Sequence, residues 1–367
     1  MQQVVDKNGK ERELWLETMK TRVETGEPYT IFIDNANKTT PEWWKNRKLY
    51  INHSNLCSEI FLPNDENHTF VCCLGSLNLA KYDEWKDTNV VALAIKFLDT
   101  VIEEFIMKGI NIRGIEDSVR FAQKSRALGL GVMGWHTLLQ TRMLPFVGIQ
   151  ANSLTRIIFK QIKAQAEEAS FELAKKFGAA PWCEDGRRNL TLMSIPPTRS
   201  TGNFANDIYN SYNGGVSNGI EPVTANYYMD DGAKGVHIRR NSILERLLAS
   251  KDRNIPEVWD QISEDKGSVK NIRCLTKDEK EVFLTFREIN QLEIVKQAAI
   301  RQEYIDQGQS VNLAFYKDAP AKFINQCHIE AWRLGLKSLY YLKSESVLRA
   351  DTGQQRDLYS ECLACEA

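Results

Sequence analysis

The sequence lacks the features that mark membrane, secreted and nucleic-acid-binding proteins. It contains no apolar run that approaches the roughly 18 residues of a transmembrane helix. The amino terminus, MQQVVDKNGKERELW, is polar and charged and has no signal-peptide core. The formal net charge is -1 over 367 residues, which gives no electrostatic basis for binding nucleic acid or a membrane surface.

Cysteine is also scarce. Eight cysteines in 367 residues are too few for a disulfide scaffold, so we expect reduced thiols in a cytoplasmic protein. The hydrophobic share of 43% and the charged share of 26% are typical of a globular chain that buries a large core.

The hydrophobic pattern alternates helices with short apolar strands. NVVALAIKFLDTVIEEFIMKG predicts a long helix that ends at Gly109, and LGLGVMGW and LTLMSI predict strands. SLTRIIFKQIKAQAEEASFELAKKFG predicts another helix, capped by Asn152 or Ser153. Strands separated by helices indicate a parallel α/β architecture. The polar end of the chain predicts a mobile tail over residues 350–367, after one domain over residues 1–349.

The stretch HSNLCSEI places Asn55, Cys57 and Glu59 at every second position. In an extended segment these three side chains share one face, while Leu56 and Ile60 point the other way into apolar packing. One interpretation is a three-residue site presented from a rigid strand or loop. The other is a buried free cysteine beside two surface polar residues.

Two further motifs each leave two interpretations open. FVCCLGSLNL contains adjacent Cys72 and Cys73, which on a strand face opposite sides and form a poor disulfide. Either the pair is structural, or one of the two cysteines is redox active with a partner elsewhere in the fold. SIPPTRSTGN places hydroxyls and an arginine, residues 198–201, at a possible helix start, where backbone N–H groups suit a phosphate. An ordinary capped loop would have the same sequence. The motif is not a Walker loop, because the glycine-lysine core is missing.

The end of the chain contains two more candidates. CLAC, with Cys362 and Cys365, suits thiol–disulfide exchange on a flexible tail, or is an incidental pair of cysteines. A zinc site would need a second ligand pair, and the sequence has no second CxxC. Tyr340 and Tyr341 in LYYLKS, taken alone, are typical of packing residues on a strand.

In this order, the motifs resemble the catalytic large subunit of aerobic, class I ribonucleotide reductase. The stretches that carry the resemblance are SNLCSEI, VCCLGSLNL, IPPTRST, GIEP, RQEYIDQGQSVNL, GLKSLYYL and the terminal CLAC. The resemblance extends through nearly all of the chain but covers only the carboxyl-terminal half of the usual subunit. It implies the second half of a ten-stranded α/β barrel with a central finger loop near residues 53–62, followed by a flexible redox tail.

The resemblance also implies the catalytic roles. Cys57 is expected to become a thiyl radical that removes the ribose 3′ hydrogen. Glu59 is the expected general base on the 3′ hydroxyl, and Asn55 the amide that binds the substrate. Cys72 matches one of the two cysteines that supply electrons, while Cys73 matches no assigned role.

The remaining implied roles concern the substrate, the radical and the reductant. Thr198, Arg199, Ser200 and Thr201 match the loop that binds the diphosphate of a ribonucleoside diphosphate, with Arg199 in place of a smaller or acidic residue. Tyr340 and Tyr341 match the relay that carries the radical from a metal-containing small subunit. Cys362 and Cys365 match the tail pair that re-reduces the site and is recharged by thioredoxin or glutaredoxin. No cofactor or metal is expected within this chain itself.

The missing half leads to a further expectation. A half barrel leaves unpaired strand edges, so we expect the amino-terminal half of the subunit on a separate polypeptide. One alternative is an adenosylcobalamin-dependent reductase, which does not need the tyrosine pair. Another is a non-catalytic half that binds the small subunit. A glycyl-radical reductase is disfavoured because its motif is absent near the carboxyl terminus.

Overall fold

A computed structural model describes residues 9–205, 215–232 and 235–344 of the chain. The helices of this part are α1 (Gly9–Thr25), α2 (Ile33–Lys38), α3 (Glu42–Asn46), α4 (Tyr82–Trp85), α5 (Val90–Gly109), α6 (Glu116–Ser125), α7 (Trp135–Thr141), α8 (Ile149–Phe177), α9 (Arg199–Phe204), α10 (Ser242–Ser250), α11 (Pro256–Glu264), α12 (Lys277–Val282), α13 (Gln291–Gln302) and α14 (Ala321–Arg333). A 3₁₀ turn, Leu79–Lys81, precedes α4.

The strands are short. They are β1 (Thr30–Ile31), β2 (Leu74–Asn78), β3 (Gly129–Met133), β4 (Tyr227–Gly232), β5 (Gly235–Arg240), β6 (Leu313–Phe315), β7 (Ser338–Leu339) and β8 (Leu342–Ser344). β4 and β5 form an antiparallel hairpin, β1 pairs antiparallel with β7, and β6 pairs parallel with β8. No helix within the described residues combines the length and apolarity needed to cross a membrane.

A row of parallel extended segments forms the centre of the fold. Residues 74–78 pair in parallel with residues 129–133. Residues 191–195 lie beside that second strand, and residues 307–311 lie beside them in turn, through parallel bridges and backbone hydrogen bonds. The Tyr340 N–H donates to the carbonyl of Val311 at 2.8 Å and so attaches the segment that contains β7. This arrangement is consistent with part of an α/β barrel.

Helices pack against this row because each has an apolar stripe. In α5 the buried apolar residues Val91, Ile95, Leu98 and Ile102 recur every three or four positions, which places them on one face. They join the largest core cluster, together with residues of β3, α8 and α13. α10 to α12 bury a separate cluster around Trp259. The row of parallel segments is thus covered on one side by a layer of packed helices.

The predicted alternation of strands and helices is confirmed, with local differences. The long helix ends at Gly109, and LGLGVMGW contains β3, as predicted. The predicted cap of the next helix is wrong, because α8 begins at Ile149 after Gly148, three residues upstream of Asn152. The division at residue 349 stays a prediction, since residues beyond 344 lie outside the described part.

Candidate active site

The stretch from Asn55 to Glu59 forms a tight turn rather than the predicted extended segment. The Ser58 N–H donates to the carbonyl of Asn55 at 3.1 Å, and Ser58 has a φ of 62°. This left-handed conformation reverses the direction of the chain. The prediction that alternating side chains share a strand face is therefore wrong. Leu56, predicted to pack inside, is 50% exposed, whereas Ile60 is buried as predicted.

The turn nevertheless brings Asn55 and Glu59 together. Asn55 Nδ2 donates to Glu59 Oε1 at 2.9 Å. Asn55 Oδ1 accepts the backbone N–H groups of Glu59 and Ile60, both at 3.1 Å. These two bonds fix the orientation of the amide, because only its oxygen can accept them. Cys57 lies between the two polar residues on the same turn and is buried.

The Glu59 carboxylate is only 1% exposed. Burial raises its pKa to about 6, against the opposing effect of hydrogen bonds from Asn55, its own backbone and Ser310. The donor Ser310 Oγ lies 3.1 Å from Glu59 Oε2. A carboxylate with such a pKa is ionised at neutral pH and accepts a proton more readily than an exposed one.

The carbonyl groups of the turn are anchored to the strands. Ser310 Oγ donates to the Cys57 carbonyl and Ser338 Oγ to the Ser58 carbonyl, each at 2.6 Å. The Glu59 carbonyl accepts the Gly308 N–H at 2.8 Å and Ser194 Oγ at 2.9 Å. A side chain at position 308 could not fit, because its Cβ would lie 2.5 Å from the Phe61 ring. The strands therefore set the position of the turn.

The two adjacent cysteines face different surroundings. Cys72 is exposed as a residue, but the protein around its Sγ partly desolvates the thiol. This desolvation and, to a smaller extent, the charge of Glu59 raise the pKa of the Cys72 thiol to about 11. Cys73 is buried and its Sγ donates to the Leu98 carbonyl of α5 at 3.4 Å. Cys72 is thus a protonated thiol within electrostatic range of Glu59, and Cys73 points away into the core.

The hydroxyl-rich loop is the start of a helix, as predicted, since α9 begins at Arg199. Thr198 is buried, and its Oγ1 accepts the Gly219 N–H at 2.8 Å and donates to Asn218 Oδ1 at 3.2 Å. The Thr198 hydroxyl therefore holds the loop, while Ser200 and Thr201 face solvent. Arg199 lines a cleft of about 120 Å³ next to this loop.

The same cleft contains polar residues that the residue-by-residue reasoning missed. Glu221 is 4% exposed, and burial raises its pKa although Lys343 opposes the shift from 3.7 Å. Glu221 Oε1 accepts the Asn312 N–H at 3.2 Å, and Asn312 Oδ1 accepts the Tyr341 N–H at 2.8 Å. In the sequence, Glu221 and Asn312 were indicated only because GIEP and SVNL belong to the stretches that carry the family resemblance. They connect the cleft to the segment between β7 and β8 that contains the tyrosine pair.

The tyrosine pair belongs to a larger aromatic cluster. The ring centroids of Tyr340 and Tyr341 are 4.4 Å apart with an interplanar angle of 56°. Tyr29, which no sequence pattern indicated, contacts both rings. Tyr340 is 4% exposed, whereas Tyr341 is half-buried. Cys362 and Cys365, predicted to form the redox tail, lie outside the described residues.

Known proteins with similar sequences indicate the family of the chain. A family model described as the barrel domain of ribonucleotide reductase matches residues 1–183 and 181–342. The ribonucleoside-diphosphate reductase large subunit of Invertebrate iridescent virus 3 is 38% identical over 97% of this chain and 57% of its own length. A putative large subunit of Frog virus 3 is 38% identical over 97% of this chain and 62% of its own length.

A solved structure is similar too. The class Id ribonucleotide reductase alpha subunit of Actinobacillus ureae superposes with a TM-score of 0.84 at 42% identity, and the match covers 93% of this chain and 62% of that one. The chain thus spans about three fifths of the length of each of these three relatives. With a family model matched over almost all described residues, the chain belongs to the ribonucleotide reductase barrel-domain family.

Proposed function

We propose that the chain takes part in the reduction of ribonucleoside diphosphates to deoxyribonucleoside diphosphates. The proposal rests on one observation, the buried Glu59 carboxylate that Asn55 and Ser310 hold on the same turn as Cys57. Because the chain spans only part of its relatives, the activity is proposed for these residues together with the remaining portion of the relatives' length.

In this proposal Cys57 carries the radical, Glu59 is the base, and both act on the ribose of the substrate. As a thiyl radical, Cys57 removes the 3′ hydrogen atom of the ribose and becomes a thiol. Glu59 accepts the proton of the 3′ hydroxyl, which requires the ionised carboxylate and therefore a pH above its pKa of about 6. Asn55 holds Glu59 in place and donates to the substrate. The 2′ hydroxyl then takes a proton from one of the two reducing thiols and leaves as water. After the reduction, Cys57 returns its hydrogen atom to the 3′ carbon and Glu59 returns the proton to the 3′ oxygen.

Two thiols supply the two electrons of the reduction. One ribonucleotide and one dithiol give one deoxyribonucleotide, one water molecule and one disulfide. Cys72 is proposed as one of these thiols, since a raised pKa keeps its hydrogen in place and Glu59 is near. Cys73 is unsuited because it is buried against α5. The second thiol belongs to the portion of the relatives that this chain does not span.

The substrate and the protein partners follow from the other sites. Ser200, Thr201 and Arg199 at the start of α9 are proposed to bind the diphosphate, with Thr198 holding the loop. Contact between the two relay tyrosines favours a radical supplied by a metal-containing small subunit over the adenosylcobalamin alternative. The tail cysteines, at positions 362 and 365, are proposed to exchange electrons with thioredoxin or glutaredoxin.

A reconstituted assay tests the proposal. The chain is combined with the remaining portion of a relative, a radical-generating small subunit and thioredoxin, and deoxynucleotide formation is measured. Cys57→Ser should abolish turnover and leave nucleotide binding intact, because the O–H bond is too strong for the radical role. Cys274→Ser, which changes a half-buried cysteine outside the turn, is the matched control. Turnover by the Cys57 variant would contradict the assignment.

A further inference from the structure

Arg22 is a buried cation that contacts the segment of the proposed relay. It lies on α1 and is completely excluded from solvent. Burial lowers the pKa of its guanidinium to about 10, and among the described residues the opposing effect comes from Tyr29 and not from a carboxylate. Burying a cation without a counter-ion destabilises the fold. This destabilisation is offset by the hydrogen bonds that the guanidinium donates.

The guanidinium donates to three acceptors from separate parts of the fold. Its Nη2 donates to the carbonyl of Tyr340 at 2.8 Å, and its Nη1 donates to the carbonyl of Pro28. Its Nε donates to Nε2 of His328 on α14 at 3.2 Å. The N–H donors of a guanidinium lie in one rigid plane. Arg22 therefore fixes the loop before β1, α14 and the relay segment relative to one another.

His328 is fixed as an acceptor for this arginine. Its Nδ1 lies 2.8 Å from the carbonyl oxygen of Ile324, which can only accept. Nδ1 therefore carries the hydrogen, and Nε2 keeps the lone pair that accepts from Arg22. Burial and, secondly, the charge of Arg22 lower the pKa of His328 to about 3. The imidazole is thus neutral at neutral pH and remains an acceptor.

The peptide group between the two tyrosines is held at both of its polar atoms. Its carbonyl, that of Tyr340, accepts from Arg22, and its N–H, that of Tyr341, donates to Asn312 Oδ1 at 2.8 Å. The Tyr340 N–H donates to the carbonyl of Val311 at 2.8 Å. Because a peptide group is planar, these bonds fix its orientation. The two tyrosine side chains leave the backbone on either side of this group, so its orientation sets how their rings meet.

We propose that Arg22, supported by His328, positions the peptide group between Tyr340 and Tyr341 for radical transfer between the two rings. This role rests on the relay proposed above. In the transfer, the Tyr341 phenoxyl radical takes one electron and one proton from Tyr340, which leaves the phenol of Tyr341 and a phenoxyl radical on Tyr340.

The contact between the rings explains why positioning matters. The ring centroids of Tyr340 and Tyr341 are 4.4 Å apart, and a misplacement of about 1 Å costs about 100-fold in rate. Arg22 acts through the backbone carbonyl and exchanges neither an electron nor a proton with the phenols. It is therefore a positioning residue for the relay.

Fluorine NMR of the full chain without its partners tests the positioning. With 3-fluorotyrosine at position 340, Arg22→Lys should shift the resonance, because one ammonium group cannot reach all three acceptors. His328→Leu should shift it too, whereas His328→Gln, whose amide oxygen accepts from Arg22, should bring it back toward the wild-type position. Arg126→Lys, at a buried arginine that pairs with Asp99, is the control. An unshifted resonance in Arg22→Lys, or an equal shift in the control, overturns the proposal.

Turnover in the reconstituted assembly tests the role. Arg22→Lys should lower kcat by about 10–100-fold and leave KM unchanged within about twofold, because the substrate site stays intact. His328→Gln should retain more of kcat than His328→Leu, and Arg126→Lys should leave both parameters unchanged. Undiminished kcat in Arg22→Lys, or a parallel change of kcat and KM, overturns the role.

A radical trap separates positioning from general damage. 3-Aminotyrosine is oxidised more easily than tyrosine and keeps the radical at the position where it is inserted. In Arg22→Lys, electron paramagnetic resonance should show a yield reduced by about tenfold or more at position 340 and little changed at position 341, where the radical enters. Equal losses at both positions overturn the role. A wild-type assembly without a radical at position 341 counts against the proposed function instead, and the fluorine spectra still decide the positioning.

Discussion

Replacing Ser310 by alanine should move the acidic limb of the pH–rate profile to higher pH. The Ser310 hydroxyl oxygen lies 3.1 Å from Glu59 Oε2 and 2.6 Å from the carbonyl oxygen of Cys57. A hydrogen bond donated to a carboxylate favours its ionised form. Loss of this donor should therefore raise the pKa of Glu59 beyond about 6, and less of the base would be ionised at mildly acidic pH.

The size of the shift follows from the geometry. Ser310 has one hydroxyl hydrogen, and the Cys57 carbonyl is the nearer acceptor, so the hydrogen is shared and the bond to the carboxylate is weak. A contribution of about 1 kcal/mol corresponds to about 0.7 pKa unit. At pH 6 the ionised fraction of Glu59 would fall from about one half to about one sixth, a threefold loss in rate. Above about pH 8 this loss should vanish.

The measurement is kcat/KM of the reconstituted assembly between pH 5.5 and 9. Ser194→Ala is the matched control, because the Ser194 hydroxyl donates to the backbone carbonyl of Glu59 and not to its carboxylate. The midpoint should move in the Ser310 variant and stay in place in the Ser194 variant. An equal midpoint in all three proteins, or a rate reduced equally at every pH, would refute the reasoning.

Three other predictions concern the base, the relay and the tail. Glu59→Gln should abolish turnover yet raise the free energy of unfolding at pH 7 by up to about 2 kcal/mol, because a carboxyl whose pKa is raised from 4.5 to about 6 destabilises the fold once the pH exceeds that value. Denaturant unfolding at pH 7 and pH 4 should show the gain mainly at pH 7, and a loss at pH 7 would contradict it. Tyr340→Phe and Tyr341→Phe should each remove turnover with little change in unfolding free energy; full turnover would favour the adenosylcobalamin alternative. Cys362→Ser with Cys365→Ser should block thioredoxin-driven turnover but allow partial rescue by dithiothreitol, and equal loss with both reductants would assign the tail a structural role.

The sequence identified the residues of the turn but not its shape. Alternating polar side chains are typical of a strand, and the pattern contains no signal for the left-handed Ser58. The turn depends on donors such as Ser310 and Ser338, which are more than 250 positions away in the chain. A local sequence pattern cannot indicate hydrogen-bond donors that are so far away in the chain. The hydrogen bond between Asn55 and Glu59 is therefore a property of the assembled sheet.

The aromatic cluster shows the same limit. Adjacent tyrosines on a strand predicted packing, and only the resemblance implied a relay role for Tyr340 and Tyr341. Tyr29 is close to both only because β1 pairs with β7 at the other end of the described chain. By contrast, long amphipathic helices such as α5 were predictable, because their buried residues follow a local period.

The anchoring of the turn has a consequence for its motion. Each carbonyl from Cys57 to Glu59 accepts a hydrogen bond from a strand segment, so the turn cannot swing out while those segments stay together. Its opening then requires local unfolding of the sheet, which is far rarer than the nanosecond movements of an ordinary surface loop. Slow hydrogen exchange at the Gly308 amide would mark this linkage. The thiol of Cys57 is thereby sheltered from solvent oxidants for as long as the sheet stays closed.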